Sequence, residues 1–472
     1  MPTRILLPLI VACALFMENL DSTVLSTALP SIAHDFGVSP IKLKLALTSY
    51  LLTIAVLIPA SGWLADRFGA RAIFRLAILL FTAGSICCGL SSSLPEIVAS
   101  RILQGCGGAM MVPVGRLVIL RSVPKSELVG SLAWLTVPAL IGPILGPPVG
   151  GFITTWFDWR WIFWINVPIG VLGLTLATLF LPDVRGETRS PFDTPGFFLS
   201  GFGIAAFVTG STALGLDLLP PVAVGSLIGA GGLALFLYGL HARRTPHAII
   251  DLSLLRLPSF GGSVVGGLLF RIGVGATPFL LPLLMQLGFG LTPFQSGTVT
   301  FATAIGAILM KFIATPTLRR FGFRSVLIVN ALVAGVFVAM PGFFEPTTPI
   351  LLITILLGVG GLFRSLQFTA TNALAYADVT SERMSRATSL SSVAQQLSIS
   401  IGVSIGALAL EFSTGGGPFT VESFRLPFTI VGGLTMLSAV VFLLLPRNAG
   451  DEVSGHTTRV APDAVTAARE RE

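Results

Sequence analysis

The chain has 472 residues, 53% of them hydrophobic and only 11% charged, with a mean hydropathy of +0.88 and a formal net charge of +7. A soluble domain carries about 25% charged residues, so this composition excludes an ordinary water-covered globule. The basic residues are scattered over short loops, which excludes a nucleic-acid footprint, and Cys13, Cys87, Cys88 and Cys106 all sit in apolar segments, which implies no disulfide framework.

Apolar runs of about 20 residues mark spanning helices. The expected fold is an all-α polytopic membrane protein with fourteen spans: 5–30, 44–64, 72–91, 94–119, 128–153, 161–181, 196–216, 220–241, 259–287, 293–316, 325–344, 350–374, 386–411 and 425–445. Twenty of the 29 Lys and Arg fall in loops on one side or in the tail, against Lys42, Lys44, Arg160 and Arg425 on the other. The positive-inside bias then puts both termini in the cytoplasm and requires an even number of spans.

The first span carries Glu18 and Asp21 inside an otherwise apolar run. That length and those acids do not fit a cleaved leader. An ionised carboxylate at bilayer depth costs about 2.5–3.5 kcal/mol on insertion scales, so such a residue normally faces a cavity. There it can take up and release protons, and the chain reads as a proton-coupled membrane transporter with Asp21, joined by Glu18, as the coupling site. The two acids are one helical turn apart and share a face with Asn19 between them.

The turn after the second span holds Gly62, Asp66, Arg67, Gly69 and Arg71, read either as a gating latch or as an ordinary positive-inside loop. In the fourth span Arg101 precedes Gly105, Gly107 and Gly108, a small-residue face for a neighbouring helix. Arg101 either tunes a nearby carboxyl group or neutralises it structurally. The fifth span contains Gly142, Pro143, Gly146, Pro147, Gly150 and Gly151, so it is expected to bend and pack closely, whether as a moving seal or as a fixed kink.

Residues 39–71 align without a gap on 292–324, an offset of 253, and both copies close with Arg-Phe-Gly-x-Arg. Parallel halves of this kind place a solute site between them near the midplane. The expected organisation is a six-helix bundle at 1–190, two inserted helices at 191–245, a second bundle at 246–446 and a disordered tail at 447–472.

Four motifs in order carry a family resemblance: Asp21-x-Thr23-Val24 through Pro30, Gly62-x-Leu64-Ala65-Asp66-Arg67-x-Gly69, Arg101-x-x-Gln104-Gly105-x-Gly107, and Gly142-Pro143-x-x-Gly146-Pro147. With Trp159-Arg160-Trp161 and Asn166-Val167-Pro168 they make the chain resemble the major facilitator superfamily, in its fourteen-span drug:proton antiporter branch. The resemblance implies a monomeric inner-membrane exporter working by alternating access and driven by the proton gradient without a cofactor. It also implies Asp21 as the coupling residue, Arg101 in the proton relay and Asp66 in the gating loop.

The chain departs from that pattern in its second half. Arg319 stands where the first copy has Asp66, and Arg271 lies about 18 Å and Arg364 about 21 Å into their spans. Applying the offset, Arg271 falls opposite Glu18. Three readings stand: Arg271 neutralises Glu18 or Asp21; Lys311 snorkels to the interface; or Arg271 and Arg364 bind an anionic solute through their guanidinium forks. Asn19, Gln286 and Gln367 are expected to line the same cavity. No P-loop pattern occurs, which argues against an ATP-driven pump, and no Ser/His/Asp or Cys/His arrangement suggests an enzyme. The solute is either a range of amphipathic drugs or a narrower organic anion, such as a carboxylate metabolite or its metal chelate. A proton-coupled importer and a non-transporting membrane sensor are the rival classes.

Overall fold

The computed structural model describes residues 3–122, 141–142, 145–184, 191–213, 219–245, 248–380 and 383–451. All regular elements within them are helical: α1 (Thr3–Phe36), α2 (Lys44–Phe68), α3 (Ala70–Leu90), α4 (Leu94–Ser122), α5 (145–156), α6 (Asn166–Phe180), α7 (Thr194–Ala213) and α8 (Pro221–Arg244). There follow α9 (Pro258–Gly275, continued by Thr277–Leu283 and a π turn at Leu284–Gly288), α10 (Pro293–Phe321), α11 (Phe323–Ala339), α12 (Ile350–Ala375), α13 (Met384–Thr414) and α14 (Arg425–Leu443). Among the described residues thirteen helices are long and apolar enough to cross a bilayer. The expected fifth span lies largely outside them, so the count of fourteen rests on α5, whose described end is helical to 156.

Helix ends differ from the sequence expectation for local reasons. α1 runs through Pro30 to Phe36, because Ile32 and Ala33 beyond the proline are fully packed and hold the helix despite the missing N–H. α9 changes pitch at Ala276, where Pro278 and Pro282 follow within six residues. The tail begins later than expected, since Ala449 is buried and Gly450 (φ 74°) sits against Phe323 and Leu374; residues 452–472 lie outside the described residues.

Two groups of helices share one packing scheme. α4 lies on α1, α2 and α3, with α6 on α1 and α3; α12 lies on α9, α10 and α11, with α14 on α9 and α11. The offset of 253 survives as geometry. Gly69 (φ 95°) donates to the Ala65 carbonyl and Gly322 (φ 71°) to that of Leu318, both at 2.9 Å. These left-handed turns require glycine. Arg71 then reaches the Thr178 carbonyl at 2.5 Å, and Arg324 the Leu443 carbonyl at 2.8 Å. Each arginine ties its turn to the last helix of its own group.

α7 packs on α8 and against α2 and α13, the helices that join the two groups. A hydroxyl pair, Thr212 with Ser404 at 2.8 Å, fastens α7 to α13. At the Arg-rich end Asp193 closes this hairpin, taking hydrogen bonds from the Gly196 and Ile249 N–H groups (3.0 and 3.1 Å) and pairing with His241 at 2.7 Å. Burial opposes its charge, but these partners outweigh burial and hold the carboxyl below its ordinary value of about 3.8. A lowered folded value means the stabilisation is complete above the ordinary value and is lost as pH falls through the lowered one. Asp193→Asn is therefore expected to flatten the acid limb of a thermal-unfolding profile taken from about pH 3 to about pH 7. An unchanged acid limb would remove Asp193 from the clasp's energetics.

Candidate functional site

Five helices converge on Asp21 of α1, which is 3% exposed. Arg101 and Gln104, three residues apart on α4, present one face to it and are wholly buried. Arg101 ion-pairs with Asp21 through Nη1. The same nitrogen donates to Gln104 Oε1 at 2.7 Å, while Nε donates to the Ala46 carbonyl of α2 at 3.3 Å. Gln104 Nε2 donates to Asp21 Oδ1 at 2.8 Å, and Asn166 of α6 donates to the same oxygen at 3.1 Å. Asn166 also donates to Ser85 of α3 at 3.0 Å, whose hydroxyl donates to the Phe163 carbonyl at 2.9 Å. The Arg101 guanidinium lies 4.1 Å from the centre of the Tyr50 ring.

This arrangement answers the cost of burying a charge by pairing it and bonding both carboxylate oxygens. It is not fully saturated. Arg101 Nη2, Tyr50 OH, Asn166 Oδ1 and Glu18 Oε2 are buried with no partner among the described residues. Chemically, a proton on Asp21 cancels the charge that holds Arg101, and the guanidinium is then free to change partners.

The structure reassigns several expected roles. Asp21 is satisfied within its own group of helices, so Arg271 does not neutralise it. Glu18 is half-buried, and the charges acting on it are Asp21 and Arg116 rather than Arg271. Sequence offset matches positions in the two halves, not contacts across the space between them. Gln367 is sealed inside the second group, donating to the Leu327 carbonyl at 3.2 Å and accepting from Asn330 at 2.7 Å, so it is a packing residue rather than a cavity ligand. Gln286 bridges the halves instead, donating to the Thr27 carbonyl at 2.9 Å. Asn19 is half-buried and turns its amide back onto the Leu15 carbonyl at 2.8 Å. Lys311 is exposed and donates to Thr369 at 2.9 Å, consistent with a side chain reaching out of its helix.

In the second half Arg271 is 6% exposed; its Nη2 donates to Asn372 at 2.8 Å, its guanidinium lies 5.4 Å from the Phe368 ring centre, and Nε has no partner among the described residues. Arg364 is half-buried. Neither has a carboxylate within ion-pairing distance among the described residues.

The glycine expectations divide. A Cβ at Gly62 would meet nothing within 4 Å, so that residue holds no helix contact here, and Asp66 beside it is half-buried with Arg67 exposed. Gly142, Gly146 and Gly150, at intervals of four, lie directly on α1 against Asn19, Thr23 and Thr27. α1 is thus seated on a glycine stripe along the turns that carry Asp21. Pro143 lies outside the described residues. Gly105 and Gly108 lie on α2, and Gly107 on α3.

The Arg-poor end is closed. Gly151 lies on the Pro293 carbonyl and Gly297 on that of Pro147, the Phe294 N–H donates to Thr155 at 3.0 Å, and Trp156 meets the Phe294 ring. A continuous apolar cluster joins Leu20–Ala33 positions of α1 to Phe279–Met285 positions of α9. α1 packs on α9 chiefly through Thr277–Leu283 rather than through Pro258–Gly275, so the helices diverge toward the Arg-rich end. Lys44, counted in the sequence as a loop cation, is instead 1% exposed at this closed end, with Glu411 of α13 as the carboxylate acting on it.

A family model described as Major Facilitator Superfamily matches residues 11–196 and 264–468. The chain is 42% identical over 462 residues to "Putative multidrug resistance protein MdtD" of Pectobacterium carotovorum subsp. carotovorum (strain PC1), covering 95% of this chain and 96% of that one. It is 40% identical over 454 residues to the protein of that name from Salmonella heidelberg (strain SL476), covering 93% and 94%. Among solved structures, the crystal structure of D-xylose-proton symporter superposes with a TM-score of 0.69 at 16% identity, over 94% of this chain and 98% of that one; at that identity the likeness is one of fold.

Proposed function

The chain belongs to the major facilitator superfamily, and from that premise we propose that it exports small amphipathic molecules from the cytoplasm in exchange for protons, by alternating access. It is a multi-pass bacterial inner-membrane transporter and not an enzyme, and its substrate is a small molecule. The observation that carries the proposal is the Asp21–Arg101 pair, a neutral assembly buried among five helices that a single proton would unbalance.

The proposed orientation puts the Arg-rich turns and both termini in the cytoplasm, as the positive-inside bias favours. The conformation described above is then closed outward, with α1 and α9 parted toward the cytoplasm. Proton uptake by Asp21 from outside releases Arg101 to other partners, and α1 moves along the glycine stripe of α5. Solute binding from the cytoplasm favours the conformation in which the proton leaves. A potential of 100 mV supplies about 2.3 kcal/mol per charge moved, enough for a useful concentration ratio. The name carried by the 40–42% identical relatives, a multidrug resistance protein, supports an amphipathic drug as cargo.

A second reading rests on Arg271 and Arg364: two guanidinium groups with no carboxylate partner among the described residues suit a narrower organic anion, such as a carboxylate metabolite or its metal chelate. Proteoliposomes holding an imposed pH gradient distinguish the two. Collapse of the gradient by lipophilic cations and not by small carboxylates supports the drug reading, and the reverse supports the anion. No collapse with either panel counts against proton exchange. Arg271→Ala is expected to weaken anions roughly tenfold or more, the worth of a hydrogen bond to a charged group, and to spare cations. Unchanged anion affinity would remove Arg271 from the site.

A further inference from the structure

A cavity of about 370 Å³ opens at the Arg-rich end between the start of α11 and the end of α14. Arg324, Ser325 and Arg447 supply its polar lining, Phe321, Ile328 and Leu443 its apolar lining, and no carboxylate lines it. It is remote from the site above, because α11 and α14 pack within the second group of helices and not across the seam.

The internal repeat supplies a comparison within the same chain. In the first copy the leading N–H of the helix after the turn, that of Ala70, donates to the Val184 carbonyl at 2.9 Å, so the chain itself covers that corner. Its counterpart at the offset of 253 is Phe323, whose N–H has no acceptor among the described residues. The second copy has the cavity in that place. Arg324 Nε is buried without a partner, and Arg447 is exposed with no hydrogen-bond or ion-pair partner among the described residues. Two guanidinium groups, a hydroxyl and the start of a 17-residue helix therefore face one opening, an arrangement that suits a phosphodiester. The apolar side runs on to surface that is exposed at the end of a spanning helix: Phe321, Leu443 and Leu444 (82%). A soluble phosphate has no use for that wall, whereas acyl chains do.

We infer that this cavity binds the headgroup of an anionic phospholipid, with its phosphodiester on Arg324, Ser325 and Arg447 and its acyl chains along Phe321, Ile328 and Leu443. The test is native mass spectrometry of the full-length protein in detergent, titrated with phosphatidylglycerol and with phosphatidylethanolamine. Phosphatidylglycerol is expected to bind more tightly, and Arg447→Gln to weaken it about fivefold, as one arginine at a lipid surface is worth. Arg447 makes no described contact that folding depends on, and Arg243→Gln, exposed at the same end but outside the cavity, serves as the control and is expected to change nothing. Equal phosphatidylglycerol binding by Arg447→Gln and the wild type would overturn the assignment. So would complete displacement by millimolar inorganic phosphate, which would make it a soluble-anion site. Binding that begins only after residues 452–472 are deleted would make the chain's own tail the occupant and would overturn it equally.

Discussion

Asp21→Asn is expected to leave solute binding in place and to abolish uphill transport. At 100 mV and one net charge per turnover, the available free energy sustains a gradient of up to about fiftyfold, and the variant should fall to about unity. Asparagine keeps an oxygen able to accept from Gln104 or Asn166, so the local bonding survives in part. What it loses is the charge opposite Arg101, which is buried and ion-paired only to Asp21 among the described residues. Leaving such a cation unpaired costs ~3–5 kcal/mol, so the single variant is also expected to unfold at lower temperature. The double variant Asp21→Asn with Arg101→Gln removes both charges, and should recover most of that stability without recovering transport. Measuring both quantities separates coupling from folding. Full pH-driven accumulation by Asp21→Asn would end the coupling role of this carboxyl group, whatever its stability.

The second large effect concerns the closed end. A methyl group at Gly297 would press into the Pro147 carbonyl, and one at Gly151 into that of Pro293. Both obstacles are backbone atoms beside proline, so the helices must separate rather than a side chain rotate. Overpacking of this kind costs ~1–3 kcal/mol. The cost falls only on the state in which α5 and α10 touch. Gly297→Ala should therefore shift the population toward the state open at this end by roughly five- to 150-fold. Spin labels at Phe157 and Thr298, both exposed near this contact, would report a longer mean distance. Gly62→Ala is the control, since its side chain would enter open space. An unchanged distance distribution in Gly297→Ala would show that the α5–α10 contact does not set the closed state.

Much of this architecture is legible in the chain because its causes are local. Hydropathy over about 20 residues marks each span regardless of its neighbours. The Arg-Phe-Gly-x-Arg repeat predicts two equivalent turns, and Gly69 and Gly322 occupy equivalent left-handed positions with equivalent hydrogen bonds. The fifth-span glycines signal close packing, and Gly142, Gly146 and Gly150 lie on α1. Helix ends were less legible. Pro30 reads as a stop, yet burial of the residues beyond it carries α1 on to Phe36.

The candidate site was legible in its charges and not in its partners. An acid in an apolar run must find a partner or a cavity, and the sequence alone determined that much for Asp21. It did not determine that the partner is Arg101, 80 residues away, or that Gln104, Asn166 and Ser85 complete the shell. The sequence left both Arg101 and Arg271 open as partners of the first-span acids. Nor could it separate Gln367, enclosed by Asn330 and Leu327, from Gln286, which bridges the halves at Thr27. The two glutamines look alike in sequence because both sit in apolar spans. Which face of a helix a side chain occupies, and what lies there, depends on the rotation and depth that packing gives each helix against its neighbours. Those quantities belong to pairs of helices and not to any one segment, so only the tertiary structure decided them.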